Sequence, residues 1–314
     1  MYLLTGAMAI LVGLSVLLWM PDSPVHARFL NREERVMAVE RVRDDQGGTE
    51  NKRIKKRQVV EAITDIRTWL IVLMTVMTAI PNGGLSSFGN LVIKSFGYTS
   101  RQTLILSAPG GALGIISALL CGWYSDYAVR IMSNYFFQRL TNIIKVDRML
   151  PIVLGLIPTL VGSGMLVGLT PSPQHKGALL FAYYIQGFFG SSLAILYAWN
   201  ASNTSGHTKK VTVNAMTLAA FCVGNIIGSE TFLPKDAPNY IPGKTAILVL
   251  LAVTFFLCFV LRFLNIRLNG KKQQGLADLK ERNGWTVDDI ERERQKHAFL
   301  DMTDRENPYF IYTR

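Results

Sequence analysis

The 314-residue sequence predicts an all-α polytopic membrane protein with seven transmembrane helices. The mean hydropathy is +0.24 and 49% of residues are apolar, which sets the chain apart from soluble globular domains. Seven apolar segments, at 1–20, 69–88, 103–122, 149–170, 178–199, 211–233 and 244–264, approach the length a helix needs to cross about 30 Å of hydrocarbon. None shows the alternating pattern of a barrel strand. Helices are then the structure that satisfies every backbone N–H and C=O inside lipid.

The net charge of +11 has a topological explanation. Of the 33 Lys and Arg residues, 28 fall in alternate loops: 21–68, 123–148, 200–210, and Arg262 with the tail. The remaining five are Lys94, Arg101, Lys176, Lys235 and Lys244. This positive-inside asymmetry places the N-terminus outside, and the 21–68 loop and the tail from Asn265 in the cytoplasm. The basic residues orient the chain in a lipid bilayer, and no nucleic-acid partner is expected.

The first segment carries no Lys or Arg before its apolar stretch and leads into a basic loop, so it reads as a membrane helix rather than a secretory signal. Residues 21–68 form a charged cytoplasmic loop. Within it, "FLNREERVMAVERVRDD" is an amphipathic helix with Phe29, Val36, Val39 and Val42 on one side, followed by a flexible basic linker. Residues 69–266 hold six spans, and 267–314 form a cytoplasmic tail whose "TVDDIERER" carries a capping-box pair, Thr286 with Asp289. The tail's ending, "DMTDRENPYFIYTR", is expected to be irregular.

In the second span, Pro81, Gly83 and Gly84 are expected to interrupt the helix while Asn82, Ser86, Ser87 and Asn90 supply amides and hydroxyls. Small residues there also permit close helix packing. In the fifth span Tyr183, Gln186, Gly187 and Gly190 share one helical face, and a buried Gln is unfavourable in hydrocarbon unless paired or wetted. Tyr197 and Trp199 read as interface anchors. In the sixth, Asn225 lies between Gly224 and Gly228, a small-xxx-small pattern that makes its amide either a ligand or interhelical glue. The substrate-cavity candidates are therefore Asn82, Ser87, Asn90, Tyr183, Gln186 and Asn225.

The three cysteines lie inside apolar segments and imply neither disulfides nor a metal site. No HExxH, GxSxG, P-loop, CxxC or paired catalytic carboxylates occur, so no enzyme activity, cofactor or metal is expected. No Asp, Glu, Lys, Arg or His lies at mid-span. The sequons at Asn200 and Asn203 fall on the cytoplasmic side and are expected to stay unmodified. Residues 129–146 are too polar to span and too aromatic for a linker. Two explanations fit: an interfacial amphipathic helix, or a translated retained intron.

The chain resembles the fungal allantoate permease family of the major facilitator superfamily. The resemblance rests on "PDSP…ARFLNREERVMAVERVRDDQGG", the D-x-x-TWL run from Asp65 to Leu70, "NGGLSSFGNLVIKSFGY", "GWYSDYAVR", "WNASNTSGHTKK", "GNIIGSETF" and "FLDMTDRENPYFIY". It implies the C-terminal half of that fold, with 1–20 as the sixth helix, 21–68 as the central loop, and helices seven to twelve following. The first five helices, or a partner chain supplying that half, would be missing. It further implies a proton-coupled secondary carrier of a small organic anion or related metabolite in the plasma membrane, inactive alone if truncated. Gly122, Asp126 and Arg130 fit the superfamily's G-x-x-x-D-x-x-x-R gating loop, where a carboxylate faces a helix N-terminus. The alternatives are a seven-helix receptor-like protein and an inactive or regulatory transporter fragment.

Overall fold

A computed structural model describes residues 2–21, 27, 29–41, 53–134, 148–298 and 300–313; the side chains of 2, 39–41, 125–134 and 287 lie outside that description. Its elements are α1 (Tyr2–Trp19), α2 (Arg32–Arg41), α3 (Lys56–Thr64), α4 (Ile66–Ser95), α5 (Ser100–Asn134), α6 (Met149–Gly168), α7 (Lys176–Gln186), α8 (Phe189–Asn203), α9 (His207–Ser229), a 3-10 turn (Pro234–Asp236), α10 (Ile241–Asn283) and α11 (Val287–His297). No strand occurs among the described residues. Six helices are long and apolar enough to cross a membrane, with α7 and α8 together making one of them. The expected seventh, α1, is a shorter apolar helix of 18 residues whose side chains are exposed along its length.

α4 is central and packs against α9, α10, α5 and α8, while α6 joins α7, α8 and α10. Met74, Leu156, Leu179, Leu251 and Cys258 fill the space between them. Pro81 does not break α4 as the sequence suggested, because the helix runs unbroken for 30 residues. The glycines instead let two backbones touch. A Cβ on Gly83 would land on the backbone of Asn225, one on Gly228 would meet Ile80 O and Gly84 N, and one on Gly224 would stand 2.8 Å from Val76 O. Close approach of this kind replaces the hydrophobic driving force that lipid removes between helices.

Each end of α4 is closed by its own sequence. Asp65 caps the start by accepting from the Arg67 N–H at 3.1 Å. Gly97, at φ 90, ends it in the left-handed conformation that glycine adopts freely. α5 continues to Asn134, so Gly122, Asp126 and Arg130 lie on a helix rather than in a loop. The puzzling stretch at 129–146 begins as helix; residues 135–147 lie outside the described residues. α10 is 43 residues long, about 65 Å at 1.5 Å per residue, and carries the chain well past the bilayer edge. Thr286 and Asp289 do form the capping box at the start of α11.

Gly228→Ala should lower Tm, because the new methyl meets immovable backbone; overpacking of this kind costs about 1–3 kcal/mol. Gly270→Ala, with nothing within 4 Å of its Cβ, should not. Thermal unfolding of the two variants in detergent checks the contrast.

Candidate functional site

Two regions concentrate polar groups. The first is the fifth span, which is interrupted. Gly187 and Phe188 turn between α7 and α8, with their N–H groups bonded to Tyr184 O at 3.1 Å and Ile185 O at 3.3 Å. The turn meets a weak point in α5, where Pro109 removes a backbone donor. A Cβ on Gly187 would sit 3.3 Å from Gly110 O, and the Tyr184 hydroxyl donates to Leu106 O at 2.8 Å. Two imperfect helices therefore cross at Gly110 and Gly187.

The six cavity candidates separate into smaller groups around this crossing. Asn82 donates to the Asn225 side-chain oxygen at 2.9 Å, which ties α4 to α9, and Asn225 in turn donates to Phe221 O. Tyr183 holds its hydroxyl over Gly89, where a Cβ would lie 2.5 Å from it. Ser87 and Asn90, on the adjoining part of α4, are exposed. Gln186 is buried and donates to Ser163 Oγ at 3.0 Å, leaving its Oε1 without a partner among the described residues. Gly122 is exposed with open space around it. The side chains of Asp126 and Arg130 lie outside the described residues.

The second region was not anticipated. At the basic end of the bundle, Asp65, Arg67, Lys209 and Asp304 are 2%, 5%, 1% and 0% exposed, so four charges are sealed from water together. Arg67 Nη2 bonds both Asp65, at 2.7 Å, and Asp304. Lys209 Nζ reaches Asp304 at 2.7 Å, Glu61 at 2.9 Å and Asp65 at 3.3 Å. Tyr312 donates to Asp304 at 2.9 Å and lies beneath the Arg67 guanidinium, 4.0 Å from its ring centre. Lys272 donates to the backbone carbonyls of Asp304 and Asn307. A cavity of about 10 Å³ borders the cluster, lined in part by Asn200, Asn203 and Asn265, with room for about one water.

Burial alone would raise both aspartates. Arg67 and Lys209 overcome it, so Asp65 and Asp304 stay below the ordinary carboxylate value of 3.8. Asp304 arrives from the far end of the chain, and no spacing in the sequence announces it. Its signal was present in pieces: "D-x-x-TWL", "WNASNTSGHTKK" and "FLDMTDRENPYFIY" are three separate runs that the fold brings to one point.

Several surface expectations change as a result. Trp199 is no interface anchor: it is fully buried and donates to Thr313 O at 3.1 Å. Both sequon asparagines are buried and bonded within the protein, Asn200 to Asn214 and Asn203 to Thr313. The irregular ending of the tail is among the best-packed parts of the molecule.

Lys209→Met should destabilise the protein strongly, by about 3–5 kcal/mol, because it strands buried carboxylates. Tm in detergent measures it, with Lys210→Met as the comparison. The paired aspartates have depressed native values, so their stabilisation is full above 3.8 and falls only as the pH drops below that toward those values. Tm should therefore be insensitive to the cluster between pH 5 and pH 7, about one to three units above the titration.

Residues 1–229 match the family model of the Major Facilitator Superfamily. The whole chain is 36% identical to an allantoate permease of Saccharomyces cerevisiae, of which it covers 54%. With 99% of its length aligned, it is 34% identical to an uncharacterized transporter of Schizosaccharomyces pombe, covering 56% of that protein. It is likewise 32% identical to a thiamine pathway transporter of S. cerevisiae, covering 54%. The chain thus spans about half the length of the curated relatives it matches. No solved structure matches it. With six apolar spans built around close glycine contacts, and relatives that are permeases rather than enzymes, this chain belongs to the Major Facilitator Superfamily.

Proposed function

We propose that the chain forms one half of a secondary transporter that carries a small organic anion across the plasma membrane by proton symport, with its N-terminus outside and its C-terminus in the cytoplasm. The observation that supports this most is the interrupted fifth span. Gln186 Oε1 lacks a partner among the described residues beside the crossing of Gly187 and Gly110, and the Tyr183 hydroxyl lies over Gly89 close by. Gly187 and Phe188 keep helical dihedrals but shift to tighter three-residue bonding, and a free polar group persists at membrane depth only where protein or a wetted path receives it. Tyr183, with Ser87 and Asn90 exposed nearby on α4, offers uncharged hydrogen-bonding groups to a bound molecule. Asn82 and Asn225 hold the wall behind it by bonding each other.

Only 6% of the apolar part of α5 is buried, so the path needs a second wall, supplied by a longer polypeptide or by a partner chain. The substrate class follows the relative named an allantoate permease. Asp126 and Arg130, on the extension of α5, would serve as the gate between the two halves.

Uptake of labelled allantoate, other ureido acids and vitamin-like carboxylates tests the reading. Yeast would express the chain alone, and joined to the portion of the S. cerevisiae allantoate permease outside the aligned region. Saturable uptake of one of these anions, abolished by a protonophore, is expected from the joined form. Tyr183→Phe should raise KM several-fold at unchanged surface level. No uptake of any of them by either form, with both at the cell surface, would overturn the proposal.

A further inference from the structure

The last described residues, 301–313, contain no helix or strand, yet nearly every residue in the stretch is buried or half-buried. An irregular segment has no ladder to satisfy its backbone, so other elements must bond its N–H and C=O groups. Here three asparagines on two helices do so. Asn203 of α8 accepts from the Thr313 N–H at 2.7 Å and donates to its carbonyl at 3.2 Å. Asn269 of α10 makes the same pair with Tyr312, at 2.8 and 2.9 Å. Asn265 adds a third amide bond, to Thr313 O at 2.9 Å. This is how a protein reads an extended peptide, with backbone bonds for affinity and pockets for alternate side chains.

Charge matches in the same way. Asp301 pairs with Lys55 at 2.7 Å and accepts from the His207 backbone N–H at 2.7 Å, at the start of α9. Asp304 sits between Arg67 of α4 and Lys209 of α9. A basic groove thus receives an acidic segment, and it does so across four helices that come from separate parts of the chain.

We propose that residues 301–313 are a peptide ligand of the chain's own membrane body, pinned by Asp304, and that the docked segment is a strap holding the basic ends of α4, α8, α9 and α10 as one unit. Docking is close to all-or-none. Removing Asp304 takes from Arg67 and Lys209 the one carboxylate that, with Asp65, both share, and takes from Lys272 its backbone acceptors, so a half-released segment leaves buried cations under-paired. Release would free all four helix ends together and expose Trp199, Asn265 and Asn269. The inference stands independently of what, if anything, the protein transports.

The exposed turn at Gly284 gives a place to test it, since nothing lies within 4 Å of its Cβ. A protease site inserted after Gly284 would be cut in the purified full-length protein, followed by size-exclusion chromatography. The severed C-terminal fragment should elute with the membrane body, and Asp288→Asn, an exposed acid on the same fragment, should leave that unchanged. Asp304→Asn should release the fragment as a separate small peak while the uncut variant still elutes as a single species. Asn269→Leu should also release it, although it removes only the two backbone bonds to Tyr312 and leaves every charge in place. A wild-type fragment that separates on cutting would overturn the proposal, as would a fragment that stays bound despite both substitutions.

Discussion

Asp304 between Arg67 and Lys209 is the interaction on which the rest of this architecture depends. Two cations at the starts of α4 and α9 are nearly sealed from water. Asp65 and Glu61 meet them from the bundle itself, and Asp304 adds a carboxylate from a distant part of the chain that bonds both. Desolvating an isolated ammonium or guanidinium is unfavourable by several kcal/mol even after relaxation, so the cluster holds only when every member is present. The arrangement satisfies that condition: Glu61, Asp65 and Asp304 face Arg67 and Lys209, Arg305 joins Asp65 from outside at 3.2 Å, Lys272 donates to backbone carbonyls, and Tyr312 closes the remaining side with its hydroxyl and ring. A pair of this kind fixes register more than it adds stability, and here it fixes where residue 304 lies relative to the start of α4.

From that fixed end the bundle is built by close backbone contact. α4 and α9 lie against each other through Gly83, Gly84, Gly224 and Gly228, and the Asn82–Asn225 bond locks the seam. The opposite side of α4 behaves differently. There Gly89 makes room for the Tyr183 hydroxyl, α5 is weakened at Pro109, and the fifth span turns at Gly187. One face of the central helix is thus rigid and glued, while the other meets an interrupted span, a proline-bearing helix and exposed polar groups. A transporter half requires both properties: a body that moves without deforming, and a wall that can meet a solute.

Parts of this were legible before any coordinates. The spans from 69 onward, the helix at "REERVMAVER" and the Thr286–Asp289 cap all follow from local rules of hydropathy, charge spacing and side-chain capping. The family was legible in short ordered motifs. What misled was residue type without context. Pro81 with two glycines resembles a helix break, yet α4 absorbs the proline and uses the glycines as contact surface. Trp199 resembles an interface anchor, yet it is buried beneath the tail.

The sequence by itself determined what each segment is: a row of apolar helices with charges gathered at alternate ends, because hydrocarbon excludes unpaired backbone and charge wherever the chain runs. The tertiary structure alone decided which segments meet. An aspartate at 304 carries no mark linking it to Arg67 or Lys209, since electrostatic attraction and hydrogen bonding act through space and not along the chain. An irregular acidic tail and two helix starts are unremarkable separately, and only their convergence turns three exposed-looking motifs into a buried, mutually dependent site.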